Sequence, residues 1–290
     1  MHTRQVVDYV TMAVIWGVSF LLLVRVVDAF GPIGAVTFRC FVASAVLWLI
    51  ARASKRVLNF QSSWRHLAVI GATTVAGQLL GMSYGTPRIG TAMAAIIVAT
   101  IPLFSMVIGH LTGVENVSSA GKAGVLIGAV GMVCLVGFPA VPVTHDFVIG
   151  VCASTFAALS AAIGSIYAAR HLAHVGSYEQ TVGAFLIGGI ITFPLLLLSP
   201  VPDMPRLIDV GTLILLAAMC SSLTYVLYFR LVAEVGATLA ISVEFAVTVV
   251  AVTIGALVLH EALTAMQFIG AVVIITGCSM VIGLIGPKRA

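Results

Sequence analysis

Long apolar runs follow one another along the whole chain, separated by short stretches of polar and turn-forming residues. Ten of these runs reach the roughly 20 mostly apolar residues that a helix needs to cross a lipid bilayer. They cover residues 9–27, 31–51, 66–86, 91–111, 120–138, 147–169, 181–199, 210–229, 238–259 and 265–285. Glycine and proline mark several of the gaps, as at Gly31-Pro32 and Ser199-Pro200. The pattern predicts an all-α polytopic membrane protein with ten transmembrane helices and no room for a separate soluble domain.

One apolar segment occurs twice. Residues Ile108 to Glu115 read IGHLTGVE, and residues Ile254 to Glu261 read IGALVLHE, 146 positions later. The same offset, applied without a gap, pairs further small residues: Gly90 with Gly236, Ala94 with Ala240, Gly109 with Gly255, Gly124 with Gly270, Gly131 with Gly277 and Gly137 with Gly283. We interpret the chain as a duplicated five-helix unit, residues 1–145 and 146–290.

The odd number of helices in each unit has a topological consequence. The second unit must enter the bilayer from the opposite side, so the two units are expected to form inverted repeats around a central cavity. Secondary transporters are commonly built in this way, with their binding site near the bilayer midplane. Glu115 and Glu261 each lie at a helix connection in this scheme. Two roles stay open for these glutamates: they cap the connection, or they form part of a gate.

Composition agrees with a membrane protein. Hydrophobic residues make up 61% of the chain and charged residues 8%, with a mean hydropathy of +1.18, whereas soluble domains carry about 25% charged residues. The five cysteines lie inside apolar runs without a CxxC spacing, which argues against a disulfide framework or a zinc site. No metal or other cofactor is expected.

The positions of lysine and arginine predict the orientation. If the N-terminus is cytoplasmic, most basic residues fall on the cytoplasmic side: Arg4, Arg52, Lys55, Arg56, Arg65, Lys122, Arg170, Arg230, Lys288 and Arg289. The outer connections then hold only Arg25, Arg88 and Arg206. Because cytoplasmic connections are enriched in basic residues, we expect both termini to be cytoplasmic.

Several motifs, in this order and in duplicate, resemble the EamA-type branch of the drug/metabolite transporter superfamily. They are the early Trp16-Gly17, the Ala-rich run before Pro102, the glutamates that close the fourth and ninth spans, and the two G-x6-G helices that follow. The resemblance covers essentially the whole chain. It implies a bacterial inner-membrane exporter of small metabolites, most similar to exporters of aromatic amino acids. One departure is Thr248, which stands where the second copy of Pro102 would be, so a kink in the ninth span is in doubt.

Arg39 and Glu244 are the two ionisable residues placed clearly inside predicted spans. At about 1.5 Å rise per residue, Arg39 lies roughly 12 Å from the outer end of its span and Glu244 roughly 9 Å from the inner end. Charges at such depth usually face a bundle interior or water. Arg39 is expected to bind a substrate carboxylate or to pair with Glu244. Glu244 is expected to bind a substrate ammonium group, to exchange protons, or to be the structural partner of Arg39.

The remaining candidate substrate-binding residues are mostly aromatic. Trp16 lies about 12 Å into the first span, although tryptophan is enriched at membrane interfaces, and Phe20 shares its helix face. Pro102 cannot donate to the carbonyl of residue 98, which leaves that acceptor free. Further polar tips in apolar walls come from Gln78, Tyr84, Tyr167, Tyr225 and Tyr228. Helix packing is the alternative role for each of these side chains.

Together with the resemblance, these features predict a secondary transporter that exports small metabolites, foremost amino acids including aromatic ones, by alternating access across the inner membrane. Only Arg39 is a deep cation, which argues against phosphorylated substrates because these would need several. No signature of a catalytic site occurs, so we expect no enzymatic activity. The expected partners are a small-molecule substrate, the lipid bilayer and, in one alternative, protons, with no nucleic acid and a monomeric state. The alternative function is a proton-coupled exporter of cationic drugs.

Overall fold

The computed structural model describes residues 3–60, 63–113, 119–137, 142–199, 201–202, 204–261 and 263–281. Every regular element in these ranges is a helix. We number them α1 (Thr3–Ala53), α2 (Trp64–Ile89), α3 (Thr91–Leu111), α4 (Ser119–Gly137), α5 (His145–His171), α6 (Ser177–Leu198), α7 (Leu207–Val235), α8 (Ala237–Ile241 and Val243–Leu257) and α9 (Ala265–Val281). Helices suit these apolar sequences because a helix satisfies its own backbone polar groups within lipid.

The first element, α1, consists of two helices that meet at Gly31. A straight helix of 51 residues would be about 77 Å long, more than twice the thickness of a bilayer core. Gly31 has φ 71° and ψ 164°, which is not helical, and Pro32 follows it. The Gly31-Pro32 pair therefore separates two helices.

Six of the described helical segments, α1, α2, α3, α5, α6 and α7, are long and apolar enough to cross a membrane. Shorter apolar stretches, Lys122–Cys134, Val243–Leu257 and Ala265–Gly277, lie in α4, α8 and α9. The all-helical, polytopic architecture expected from the sequence is confirmed to this extent.

Two helices are interrupted near their middle. In α3 the helix stops after Val98 and restarts at Ile101, with Pro102 in the first turn of the second piece. In α8 the interruption lies at Ser242, although no proline is present. The hydroxyl of Tyr9 donates to the Ser242 carbonyl at 2.7 Å. The interruption of this span, left in doubt by Thr248, is thus present six residues before Thr248, where the tyrosine hydroxyl supplies a hydrogen-bond donor.

The two halves share further local geometry. A π-helical segment occupies Gly71–Gly77 in α2, and another occupies Ala218–Leu223 in α7. Gly90 and Gly236, paired by the sequence offset, adopt φ 85° and 88° at the connections before α3 and α8. Only glycine reaches this region without strain.

Helices α4 and α9 approach each other very closely. A Cβ atom on Gly277 would lie 2.6 Å from the Gly124 carbonyl oxygen and 2.6 Å from the Gly128 nitrogen. A Cβ on Gly131 would meet the Ile274 nitrogen at 2.8 Å. Glycine at these positions therefore permits the backbone contact, as small residues often do between membrane helices.

Candidate functional site

Two small adjoining cavities lie between the halves of the molecule. The larger, of about 30 Å³, is lined by Arg39, Phe20, Leu23 and Met82 among others. The smaller, of about 10 Å³, is lined by Thr74, Ser165 and Tyr228 among others. Four residues line both cavities: Trp16, Gln78, Tyr225 and Glu244. One water molecule takes up about 10–15 Å³ of cavity volume, so these cavities hold only a few waters. The cavities must widen before an amino acid can bind in them.

Arg39 lies in the second helix of α1 and is 5% exposed. Its Nε donates to the Ser221 hydroxyl at 2.6 Å, and its Nη2 donates to the Cys220 carbonyl at 3.3 Å. Among the described residues no carboxylate lies within ion-pair distance of the guanidinium. The pair with Glu244 that the sequence allowed is therefore not formed, although both side chains face the larger cavity.

Glu244 lies in the first turn of the second piece of α8 and is 8% exposed. Within the described part of the chain its carboxylate has no hydrogen-bonding or ionic partner. The positive end of the helix dipole partly stabilises a negative charge at this position. The site thus contains one cation and one carboxylate that do not neutralise each other directly.

An aromatic wall joins the two cavities. The ring of Trp16 lies 5.5 Å from that of Tyr225 and 5.7 Å from that of Tyr228. The Tyr225 hydroxyl donates to Gln78 Oε1 at 3.4 Å. Phe20, which is 2% exposed, adds an apolar face to the larger cavity. Trp16, Phe20, Gln78, Tyr225 and Glu244, all singled out from the sequence, therefore meet at one place.

Three other candidates line neither of these cavities. Tyr84 lies under the Arg88 guanidinium, which is 5.5 Å from its ring centre. Tyr167 stacks on His171 with ring centres 4.3 Å apart, and its hydroxyl is 2.8 Å from His66 Nδ1. Pro102 follows Ile101, which does line the smaller cavity. A direct binding role for these three residues stays a prediction that this conformation does not support.

Sequence reasoning missed several residues at the site. The carbonyl of Cys220, in the π-helical segment of α7, accepts from Trp16 Nε1 at 3.2 Å, from Arg39 Nη2 at 3.3 Å and from Thr224 Oγ1 at 2.8 Å. The run Cys220-Ser221-Ser222 is a polar cluster in an apolar span, and this cluster is the sequence feature that could have indicated the site. Thr74 was also missed: it is 2% exposed, and its hydroxyl, which lies against Gly164, has no hydrogen-bond partner among the described residues.

Polar contacts outside the two cavities also join the first and second halves of the chain. At the end where α3 begins, Glu261 accepts from the Thr91 N–H at 2.7 Å, the Thr91 hydroxyl at 2.7 Å and the Ala92 N–H at 2.8 Å. A Cβ on Gly255 would lie 2.8 Å from Glu261 Oε2, so glycine leaves room for the carboxylate. Glu261 therefore caps a helix of the other half. Its repeat mate Glu115 lies outside the described residues.

At the end where α1 begins, Asp8 forms an ion pair with Arg230 of α7. Gln5 Nε2 donates to Glu234 at 3.2 Å close by. The first helix of α1 is thus tied to α7 at this end. Among the described residues no three His, Cys, Asp or Glu side chains lie close enough to hold a metal ion.

Comparisons with known proteins agree with this architecture. The model of the EamA-like transporter family matches residues 8–137 and again residues 148–283. A relative from Bacillus subtilis, named uncharacterized transporter YoaV, is 21% identical over 280 residues, which cover 96% of each chain. Protein PecM of Dickeya dadantii is 23% identical over 270 residues, covering 92% of this chain and 88% of PecM. A solved crystal structure superposes with a TM-score of 0.71 at 17% identity, covering 97% of this chain and 96% of that one, which shows a shared fold.

Proposed function

The chain belongs to the EamA-like transporter family, and from this premise we propose that it is a secondary exporter of amino acids, including aromatic ones. Family membership makes it a multi-pass membrane transporter of a small molecule. The substrate class, the direction of transport and the mechanism are the further steps of the proposal.

One observation carries the choice of substrate. The larger cavity presents a buried arginine and a buried carboxylate that are not paired with each other, beside the rings of Trp16, Phe20 and Tyr225. An α-amino acid carries a carboxylate and an ammonium group on the same α-carbon, so it can neutralise Arg39 and Glu244 at once. A phosphorylated metabolite would instead meet a single arginine and a carboxylate that repels it.

Alternating access between two inverted halves is the proposed mechanism. The separate match of each half to the family model supports it, as do the π-helical segments and the positive-φ glycines at related positions. In this proposal ten spans form two inverted five-helix repeats, 1–145 and 146–290, with both termini in the cytoplasm of a bacterial cell. Because the repeats lie in one chain, a monomer contains the complete site.

A second function is favoured by Glu244. A buried carboxylate without a cationic partner, close to several aromatic rings, also suits an organic cation. In that case the protein would exchange protons for cationic drugs, and Arg39 would not contact the substrate.

The test is uptake of radiolabelled phenylalanine, tryptophan, threonine and tetraphenylphosphonium into proteoliposomes, with and without an imposed pH gradient. Saturable amino-acid uptake that other aromatic amino acids inhibit is the expected result. Uptake of tetraphenylphosphonium alone would overturn the amino-acid proposal in favour of the drug exporter. The dependence on the pH gradient then shows whether protons are coupled to transport.

A further inference from the structure

We propose that Ser221 and the Cys220 carbonyl form, with Arg39, a carboxylate subsite in which only one end of the guanidinium faces the substrate. The inference rests on the proposed amino-acid transport. It adds a positioning residue, Ser221, and an orientation of the bound carboxylate.

The first step is the distribution of hydrogen bonds around Arg39. Two of its five N–H groups are donated to neutral acceptors, the one on Nε to the Ser221 hydroxyl and one of the two on Nη2 to the Cys220 carbonyl. Nη1 makes no hydrogen bond to any described residue and is not among the buried atoms that lack a partner. Since Arg39 lines the larger cavity, the N–H groups of Nη1 and the second N–H of Nη2 are left for a ligand that enters it.

The second step is charge. Arg39 is 5% exposed, and its two hydrogen-bond acceptors are uncharged. A buried cation without an anion is costly, and a carboxylate that enters the cavity offsets that cost. Because Nε is already used, the carboxylate binds at the end of the guanidinium that Nη1 and the second N–H of Nη2 form.

The third step is the link to the aromatic wall. The Cys220 carbonyl accepts from Trp16 Nε1 as well as from Arg39 Nη2, at 3.2 and 3.3 Å. The indole and the guanidinium therefore share one acceptor, and a ligand that pulls on Arg39 alters the hydrogen bond of Trp16. The indole is thus a built-in reporter of carboxylate binding.

The experiment uses the full chain with Trp48 and Trp64 replaced by phenylalanine. These two tryptophans are 50% and 60% exposed, so their replacement leaves Trp16 as the only indole. Emission of Trp16 is titrated with phenylalanine, with 3-phenylpropionate, which lacks the ammonium group, and with phenethylamine, which lacks the carboxylate. The same titrations are made for S221A, S221T and S222A.

The expected result is selective. S221A weakens phenylalanine and 3-phenylpropionate binding by roughly 10-fold, the loss of about one hydrogen bond to a charged group, and leaves phenethylamine unchanged. S221T keeps a hydroxyl and retains binding. S222A is the matched control, because the Ser222 hydroxyl donates to the Ala43 and Ala217 carbonyls and not to the site.

Two results would overturn the subsite. Equal weakening of all three ligands in S221A means that Ser221 only supports the structure, and no weakening means that Ser221 does not position Arg39 for the carboxylate. The proposed function fails separately. If 3-phenylpropionate changes the Trp16 emission of the unsubstituted site but the protein transports no amino acid, the carboxylate subsite stands and amino-acid transport does not.

Discussion

At the scale of single residues, the buried charges decide between the two proposed functions. Arg39 meets neutral oxygens and the larger cavity, so its charge is available to an anionic group. Glu244 has no partner among the described residues and faces the same space. A substrate carboxylate would neutralise Arg39, and a substrate ammonium group or other cation would neutralise Glu244. Replacing each side chain in turn therefore distinguishes amino acids from cationic drugs as the substrate.

Replacement of Arg39 by leucine is expected to reduce phenylalanine uptake by about 10- to 100-fold, because a hydrogen bond to a charged group contributes about 1.5–3 kcal/mol. Uptake of a lipophilic cation should be unaffected or increased. Both fluxes are measured in proteoliposomes. R25L is the control, since Arg25 is half exposed and pairs with Asp209 away from the cavities. Equal phenylalanine uptake by R39L and R25L would exclude a carboxylate-binding role.

The unpaired hydroxyl of Thr74 leads to a prediction about stability. Thr74→Val keeps the volume and removes a buried hydroxyl that has no partner among the described residues. The melting temperature should therefore rise, because the free energy of unfolding increases by up to about 1–3 kcal/mol. T192V is the matched comparison, since the Thr192 hydroxyl accepts from Thr37 at 2.9 Å and donates to Gly188 at 3.0 Å. That variant should melt lower. Thermal unfolding of the detergent-solubilised protein tests both, and a T74V variant that melts lower would mean that the hydroxyl has a partner in solution.

At the scale of elements, the contact of Glu261 with α3 joins the two halves. Glu261→Gln replaces one acceptor oxygen by an amide group, which cannot accept from the Ala92 N–H as the carboxylate does. The melting temperature is expected to fall, because the free energy of unfolding decreases by about 1–3 kcal/mol. E234Q serves as control, because Glu234 is exposed and meets only the Gln5 amide in the described residues. Equal melting of both variants would show that the cap contributes nothing.

The broken helices show which features of an element can be read from sequence. Pro102 was recognised as a site of interruption because proline lacks an N–H, and α3 does restart beside it. The interruption at Ser242 has no proline, and the Tyr9 hydroxyl that donates to the Ser242 carbonyl comes from a residue 233 positions away. The π-helical segments likewise follow no short sequence rule. Apolar runs thus predicted the helices, whereas their irregular turns depend on tertiary contacts.

The candidate site shows the same division. Arg39, Glu244 and Trp16 were identified because charged and indole side chains are unusual deep in a span. Ser221, Thr74 and the Cys220 carbonyl were missed because small hydroxyls and backbone groups are common in membrane helices. Their place at the site depends on the register of the π-helical segments in α2 and α7, which the sequence does not give.

At the scale of the whole molecule, orientation is the testable consequence of the charge distribution. Single cysteines are introduced into a cysteine-free variant at Lys55 and His174, and at Thr144 and Arg206, and labelled with a membrane-impermeant thiol reagent. In intact cells only Thr144→Cys and Arg206→Cys should react, because basic residues cluster on the cytoplasmic side. After lysis all four should react. Reaction of Lys55→Cys in intact cells would reverse the proposed orientation.

The shared acceptor at Cys220 also bears on how substrate range changes over evolution. A main-chain carbonyl cannot be deleted by a point substitution, so Trp16 keeps its anchor even when Arg39 or Ser221 is exchanged. A gene copy can therefore lose its preference for one chemical group while the pocket wall and the helix around it persist. A change to a new transported substrate then requires few simultaneous mutations.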